Sequence, residues 1–411
     1  MANTILTSDL ILKEALFQLE NELVLASMVN RDFEAEFGGP QKPGSTIRLA
    51  RPIKGQVRTG KVQSVQDTEE GNTSFAVATQ IGADLDMSTV DMTLSIDKFG
   101  ERYLKPQMIQ LANAIDVAIH TELYQNCPNW VGTPGSLVNS YADYALGPQR
   151  LDELSVPRSK DWMGVLSPAD YWGTVGSVTA LSADAPVKSA LQKSNLGRYA
   201  NTDTYMSQNV KAHTVGLWGT TPTTTASTQS STYAATRTST YLTMNLNVTG
   251  LFLSTGTVKK GDVFTISGVF AVNSVSGDAQ DFLRQFVVTA DATADSNGAA
   301  TLVISPAIIT SGPYKTCDAA AGSLKTITFK GTGGTSYKQN LILHPDAVTF
   351  ASPPLFKPPG AVKCSVQSYK GISMRLIEGY DIVNDDALWR FDILYGVLAH
   401  QPWLATRLSG T

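Results

Sequence analysis

The sequence predicts an α+β chain into which an all-β segment is inserted. Helix-like and strand-like periods alternate before Trp218, and short strand-like runs separated by Gly, Asn and Asp turns fill residues 245–350. Residues 385–400 read DDALWRFDILYGVLAH, and every odd position from Trp389 to Ala399 is apolar. Such alternation predicts a strand with one buried face. A strand this late must pair with the front of the chain, so the all-β segment reads as an insertion.

Two helices are predicted in the first third of the chain. Residues 8–33 carry an apolar stripe, and Ser8 is a candidate N-cap. Residues 106–126 repeat apolar side chains every three to four positions, and the Cys127-Pro128 step ends that helix. The two stripes consist of Leu12, Leu16, Leu19, Leu23 and Ala26 or Met28, and of Leu104, Met108, Leu111, Ile115, Ile119 and Leu123.

A strand that runs into a helix is predicted at 162–175, WMGVLSPADYWGTV. Ser167 has the residue type of an N-cap, Pro168 suits the first helical position, and Asp170 suits the first turn.

Residues 45–97 are predicted to be extended, and their charges are segregated. Six Lys or Arg and no acid lie between Lys42 and Lys61, whereas seven Asp or Glu and no base lie between Asp67 and Asp97. One interpretation is a hairpin whose two strands pair with each other. The other is a protruding arm whose charges meet a neighbouring subunit. The candidate intersubunit contacts on this arm are Arg48, Arg51, Lys54, Arg58, Lys61, Asp67, Glu69 and Glu70.

Composition narrows the function classes. A net charge of −4 gives no electrostatic case for nucleic acid or an anionic membrane as a direct ligand. No stretch approaches the ~18 apolar residues that a membrane span needs, and the N-terminal residues lack the pattern of a secretory signal. Three scattered cysteines suit a reducing compartment and predict neither a disulfide framework nor a metal site. We therefore expect a protein made in the cytoplasm.

No motif predicts an enzyme or a cofactor site. The four histidines lie far apart in the sequence, and the pair His344 and Asp346 is the one candidate among them, but two groups fall short of a metal site. GTGGTS at 331–336 resembles a phosphate cradle but lacks its Lys and its helix, so a hairpin turn is expected. In 220–243, fifteen of the twenty-four residues are Ser or Thr, too polar a stretch to pack alone.

The order of these elements resembles the HK97 fold of tailed-phage major capsid proteins. The shared order is a helical arm, a long two-stranded excursion, a spine helix, a strand-to-helix unit and late strands that return to the start. The segments GDVFTISGVFAVN, LRQFVVTADAT, GAATLVISPAII and NLILHPDAVTF are similar to those of the phage P22-like coat proteins, whose family carries an inserted β-barrel. NTDTYMSQNV and RFDILYGVLAHQP extend the similarity over nearly the whole chain.

The resemblance implies an α+β, HK97-like capsid fold with a small inserted β-barrel domain. Its parts would be an N-terminal arm at 1–45, an extended loop at 46–97, the spine helix and first part of the axial and peripheral core at 98–218, the inserted domain at 219–350, and core-completing strands at 351–411.

The implied function is that of a major capsid protein, a structural protein without catalytic activity or cofactor. It would self-assemble as pentamers and hexamers into an icosahedral shell around double-stranded DNA, without sequence-specific binding and without a membrane. Scaffolding and portal proteins would be its partners, and it would be part of the virion capsid after assembly in the host cytoplasm.

Two other interpretations stay open. One is a surface-adhesion or tail structural protein with an immunoglobulin-like module, in which the Ser/Thr-rich stretch forms a stalk. The other is a hydrolase with an unrecognised site. The spine helix and the polarised loop favour the shell over adhesion, and the lack of a catalytic motif disfavours the hydrolase.

Overall fold

The computed structural model describes most of the chain, namely residues 8–33, 37, 46–55, 60–63, 71–88, 103–179, 198–219, 222–225, 228–232, 243–360 and 363–411. The chain divides into two units. The first comprises Met1–Ile47, Ser74–His120 and Val348–Leu398, and the second comprises Arg48–Thr73, Thr121–Ala347 and Ala399–Thr411. Both units therefore combine residues from before and after the all-β segment.

The described residues contain four α-helices. They are α1 (Ser8–Glu22), α2 (Lys105–Asn126), α3 (Tyr141–Glu153) and α4 (Pro168–Thr179). Both predicted apolar stripes are buried. The first helix is shorter than predicted, because it ends at Glu22 and only a 3-10 turn, Leu25–Ser27, follows. Asp116 on α2 explains this end, since its carboxylate accepts hydrogen bonds from the N–H groups of Val24 (2.9 Å) and Ala26 (3.0 Å).

The described residues contain twenty-five strands, most of them short. In chain order they are β1 (Thr46–Ala50), β2 (Asn72–Ala76), β3 (Thr79–Ser88), β4 (Trp130–Val131), β5 (Trp162–Leu166), β6 (Arg198–Tyr199), β7 (Thr202–Met206), β8 (Ala212–Thr214), β9 (Thr223–Thr224), β10 (Thr228–Gln229), β11 (Met244–Thr249), β12 (Thr257–Val258), β13 (Val263–Val272), β14 (Ala279–Val288), β15 (Ala292–Thr293), β16 (Ala300–Ser305), β17 (Ala321–Gly322), β18 (Ile327–Phe329), β19 (Ser336–Lys338), β20 (Asn340–Leu343), β21 (Thr349–Ala351), β22 (Lys363–Tyr369), β23 (Ile372–Asp381), β24 (Asp386–Leu398) and β25 (Ala405–Leu408).

The late alternating strand, β24, is the centre of the sheet in the first unit. One edge pairs antiparallel with β3 and β21, and the other pairs with β23, which continues to β22. Helix α1 packs on β22 and β23. Trp389, Phe391 and Ile393 are buried, as the alternation predicts. The early partner of this strand is therefore residues 79–88, within the segment predicted to be extended.

The second unit contains a six-stranded core sheet in the order β4-β25-β20-β5-β7-β6. The pairs β4–β25 and β5–β7 are parallel, and the others are antiparallel. The predicted strand-to-helix unit is β5 followed by α4. Ser167 caps this helix, because its Oγ accepts the N–H of Asp170 at 3.4 Å and donates to the Asp170 carboxylate at 2.5 Å.

The second unit also contains the inserted sheet, in the order β18-β13-β14-β16-β11-β9. Its two edges meet through an isolated bridge between Thr223 and Thr326 and a hydrogen bond from the N–H of Ile327 to the carbonyl of Pro222 (2.9 Å). The sheet is thus a barrel that is only nearly closed. It encloses its own apolar cluster, which includes Phe264, Phe286 and Leu302.

The strand β20 lies in the core sheet, between β5 and β25, although it falls within the 245–350 run. The GTGGTS stretch that precedes it is a turn, but its flanking strands β18 and β19 belong to different sheets, so the prediction of a hairpin was wrong.

Candidate subunit-contact surface

The basic limb of the extended segment starts on β1, where Ile47 and Leu49 are buried and Arg48 is exposed between them. Arg51, just after β1, is only 7% exposed. Its backbone N–H donates to the carbonyl of Gly71 (2.9 Å), and its Nε donates to Oγ1 of Thr73 (2.7 Å). Arg51 therefore ties the two limbs of this hairpin together inside one chain.

Lys54 is half-buried rather than displayed. Its backbone N–H donates to the hydroxyl of Tyr314 (3.4 Å), and its ammonium group lies 6.0 Å from the centre of the Trp403 ring. Burial, together with the positive charge of Arg284, lowers the pKa of Lys54 to about 8. A lysine that loses hydration in this way packs within its own chain and is not displayed for a contact with a neighbouring subunit.

Of the remaining candidate intersubunit contacts, one is exposed and the others lie outside the described residues. Lys61 is exposed. Arg58, Asp67, Glu69 and Glu70 lie outside the described residues. Two exposed cations, Arg48 and Lys61, are therefore what the described part of the basic limb presents to solvent.

The described part of the acidic limb lies on β3. Asp84 stands directly opposite Arg390 on β24, and Asp86 stands opposite Leu388. The pKa of Arg390 is raised, mainly by its hydrogen bond to Asp392 and further by the negative charges of Asp392 and Asp84. Asp84 thus meets an opposite charge on β24 of the same chain, rather than on the basic limb of the extended segment.

A buried carboxylate lies beside this pairing. Asp392 is 1% exposed and accepts hydrogen bonds from Arg375 (2.6 Å) and Arg390 (2.9 and 3.1 Å). Burial alone would raise the pKa of Asp392, yet the hydrogen bonds from the two arginines hold it below its ordinary value. The three residues lock β23 to β24 through charge-assisted bonds.

Comparison with known proteins settles the family. A family model described as "P22 coat protein - gene protein 5" matches residues 1–410. The chain belongs to this coat protein family. It is a major capsid protein with the α+β, HK97-like fold of tailed-phage capsids, which confirms the prediction from sequence.

Solved phage structures align with most of the coat protein chain. One described as Mycobacterium phage Che8 is 12% identical with a TM-score of 0.50, covering 94% of this chain and 90% of that one. The capsid of Cyanophage P-SCSP1u is 10% identical with a TM-score of 0.42, covering 90% and 84%. The mature capsid of bacteriophage PhiM1 is 10% identical, also with a TM-score of 0.42, covering 90% and 83%. A search of curated proteins gave no match.

The coat protein anchors its C-terminal strand in a way that the sequence did not reveal. Arg407 on β25 is fully buried, and its guanidinium donates to the carbonyls of Gly261 and Cys127, both at 2.8 Å. Burial lowers the pKa of Arg407. Gly261 lies in the turn that leads into β13 of the inserted sheet, so the side chain of Arg407 connects that turn and the end of α2 to the strand β25.

A second buried pair also escaped the sequence analysis. Nε2 of His213 lies 2.7 Å from Oδ1 of Asp262, and the other carboxylate oxygen accepts the N–H groups of Lys259 (2.9 Å) and Gly216 (3.0 Å). Forty-nine residues separate the two partners, so no local spacing could have indicated the pair.

The coat protein has no cluster of three metal-ligating side chains within its described residues. The predicted candidate, His344 with Asp346, is a local contact in which Nδ1 accepts the backbone N–H of Asp346 (3.2 Å) while the carboxylate bonds Lys160 (2.9 Å). Among the described residues no helix is both long and apolar enough to cross a membrane.

Proposed function

We propose that the coat protein forms pentamers and hexamers of an icosahedral shell and that its extended segment makes contacts between neighbouring copies. The observation that carries this proposal is that some cations of the basic limb are buried in their own chain while others are exposed. Arg51 and Lys54 are held inside the chain, whereas Arg48 and Lys61 are exposed on a segment that has no acid of its own between residues 42 and 61. Arg58 belongs to the same surface, and Asp67, Glu69 and Glu70 are its candidate partners on a neighbour.

Weak contacts suffice for such a role. An exposed ion pair contributes ~0–1 kcal/mol and is screened by salt. A closed symmetric shell repeats each contact at every copy, so small terms add up in assembly without affecting the folding of one chain.

The proposal includes the partners of a tailed-phage shell. Assembly would take place in the host cytoplasm with scaffolding and portal proteins, and the shell would enclose double-stranded DNA without sequence-specific contact. A net charge of −4 supports a wall that does not bind its cargo tightly. Such a wall needs neither catalytic activity nor a cofactor.

The inserted domain is proposed to span about 219–335. The strands of its sheet lie between Thr223 and Phe329, whereas β19 pairs with β8 and β20 joins the core sheet. These pairings favour an end before Ser336 over an end at residue 350.

Charge reversal tests the contact surface. We expect the double variant Arg48→Glu/Lys61→Glu to assemble several-fold less efficiently than the wild type, because both side chains are exposed and a reversed charge repels where it had attracted. Light scattering and negative-stain microscopy of the full-length protein, expressed with and without its neighbouring genes, measure the yield of particles.

A matched control is Lys325→Glu/Lys357→Glu, which changes the net charge equally at exposed lysines outside the extended segment. This control should assemble like the wild type. The free energies of unfolding of all unassembled chains, measured by thermal melts, should agree within ~0.5 kcal/mol, as is usual for surface changes. An equal loss of chain stability and of assembly in the first variant would instead support the self-paired hairpin and contradict the proposal.

A further inference from the structure

A cavity of about 150 Å³ lies in the second unit, where α3 faces β4 and the inserted sheet. Its polar lining consists of Gln149, Arg150, Glu153, Gln285 and Lys330. We call it the α3 cavity. A water needs only ~30 Å³, so the α3 cavity has room for a group of several heavy atoms.

Arg150 presents unused hydrogen-bond donors there. Its guanidinium lies 3.6 Å from the centre of the Phe282 ring, and that stacking occupies the face of the group. The edge keeps its N–H donors, and Nε and Nη1 have no hydrogen-bond acceptor among the described residues. Nε is 3.4 Å from a carboxylate oxygen of Glu153 without forming a hydrogen bond. Buried donors without an acceptor are costly, so an acceptor placed at this edge would stabilise the folded chain.

Lys330 brings a second cation to the same cavity. Its ammonium group donates one hydrogen bond, to the carbonyl of Gly132 (3.1 Å), and an ammonium has three donors. Burial and the positive charge of Arg150 both lower the pKa of Lys330. Two cations are therefore held together in a poorly hydrated place.

The charges lining the cavity do not balance. Glu153 is the one acid among the described residues that line the cavity, and one oxygen of that carboxylate already accepts the side-chain amide of Gln149 (2.9 Å). The amide of Gln285 is occupied by the backbone N–H and carbonyl of Trp130, at 2.7 and 2.8 Å. One positive charge and several donors are left over, and these are what a carboxylate or phosphate oxygen accepts.

We propose that the α3 cavity binds a small oxyanion between the guanidinium edge of Arg150 and the ammonium group of Lys330. Two sources share this chemistry: a free phosphate, and an acidic side chain of a neighbouring copy in the shell. The first source is independent of assembly, whereas the second rests on the proposed function.

Equilibrium dialysis of the unassembled full-length chain against radiolabelled inorganic phosphate tests the site. We expect about one phosphate bound per chain in the millimolar range or tighter. The midpoint temperature of thermal unfolding should rise by roughly 2 °C as phosphate replaces chloride at constant ionic strength. It should then stop rising once the site is saturated. Phosphate also stabilises proteins non-specifically by exclusion from their surfaces, but that effect grows without saturating.

Three variants separate the site from this general effect. Arg150→Met/Lys330→Met keeps the apolar stems and should lose both the bound phosphate and the saturable rise. Lys330→Arg should retain them, because it restores the charge and the donors. Arg158→Met removes an exposed arginine that bonds Asp152 outside the cavity, and should behave like the wild type. Equal phosphate binding by the double variant and the wild type would overturn the proposal, as would its absence from the wild type.

Assembled particles distinguish the two sources. If a neighbour's carboxylate fills the cavity, particles will bind no labelled phosphate although free chains do. If the ligand is a free ion, particles and chains will bind it alike. Because the measurement on free chains needs no assembly, its failure would be distinct from a failure of the contact surface.

Discussion

At the scale of single residues, Lys54 should give the protein an alkaline pH dependence. Its pKa of about 8 in the folded chain is below the ordinary lysine value of 10.5. Between these two values the unfolded chain binds more protons, so the free energy of unfolding should increase as pH rises from about 8 to 10.5. Below pH 8 both states are protonated, and the folded state carries the full cost of the poorly hydrated charge.

Lys54→Met should therefore stabilise the chain at neutral pH, by about 1–2 kcal/mol after allowing for the partial exposure of the side chain. It should also remove the rise in stability between pH 8 and 10.5. Urea unfolding of the unassembled protein across this range measures both effects, with the exposed Lys357→Met as control. A variant that is less stable at pH 7 and keeps the slope would contradict the assignment.

Asp392 should make the free energy of unfolding depend on pH in the acidic range. Its pKa is lowered in the folded chain, so its contribution is complete above the unfolded value of ~3.9 and is lost as pH falls below it. Asp392→Asn should cost about 2–4 kcal/mol at pH 7, because Arg375 is left as a mostly buried cation without its anion. The cost should shrink towards pH 3. Asp84→Asn, whose carboxylate is more exposed, should cost much less, and equal costs would refute the special role of Asp392.

Residue patterns predicted which strand face is buried but not which polar residues are buried with it. Arg390 and Asp392 fall between the apolar positions of β24, which suggests an outward face, yet Asp392 is buried. Its partner Arg375 lies on another strand, and Arg407 similarly bonds residues more than a hundred positions away. Buried polar networks depend on tertiary contacts, and the sequence of one element holds no record of them.

At the scale of elements, the helices and strands with a clear periodic pattern of apolar residues or a clear capping residue were predicted best. Helix α2 and the β5–α4 unit lie where their stripe and their cap indicate. Helix α3 was not predicted, since Gly147 and Pro148 lie within it and both residue types normally argue against a helix interior. Both are buried there, and tertiary packing overrides the local preference.

The pairing of β3 with β24 offers a test at this scale. A Cβ atom on Gly82 would lie 2.7 Å from the backbone carbonyl oxygen of Phe391, so β3 approaches β24 too closely for a side chain. Gly82→Val should destabilise the unassembled chain by about 1–3 kcal/mol in a thermal melt, the usual cost of overpacking.

Gly379 on β23 is a matched control, because among the described residues a Cβ there would meet only Cβ of Leu388, at an ordinary 3.8 Å. Gly379→Val should be close to neutral, since β-branched residues suit strands. If both variants lost the same stability, the close approach of β3 to β24 could not be the cause.

At the scale of the whole molecule, the order of elements predicted the fold and the family, whereas the end of the insertion was harder to see. The stretch NLIL of β20 is buried at every position and three of its four residues are apolar, and a short buried run gives no sign of the sheet to which it belongs. Its place between β5 and β25 is decided by pairing with strands on both sides of the insertion.

The isolated insertion should fold by itself. Its sheet has its own apolar core, and a segment of ~100 residues can bury enough surface for stability. Its two ends are adjacent, because Trp218 stacks on Phe329 at 4.5 Å and the N–H of Val215 donates to the carbonyl of Thr335 (3.1 Å). A fragment of about 212–338 keeps these contacts and the β8–β19 pair. We therefore expect it to be soluble, monomeric and β-rich, with a cooperative melt by circular dichroism.

The matched fragment 212–350 adds β20 and the first two residues of β21, and their partners β5, β25 and β24 are all missing from it. Six buried residues of those strands would then be exposed to water, together with the unpaired edges that such strands offer to other chains. The longer fragment should consequently aggregate more readily than the shorter one while melting at a similar temperature, because the added strands contribute nothing to the barrel core. Light scattering during the melt measures the difference. A shorter fragment that gives a random-coil spectrum, or one that folds only when 339–350 are present, would show that β20 and β21 complete the barrel and would place the boundary of the insertion at residue 350.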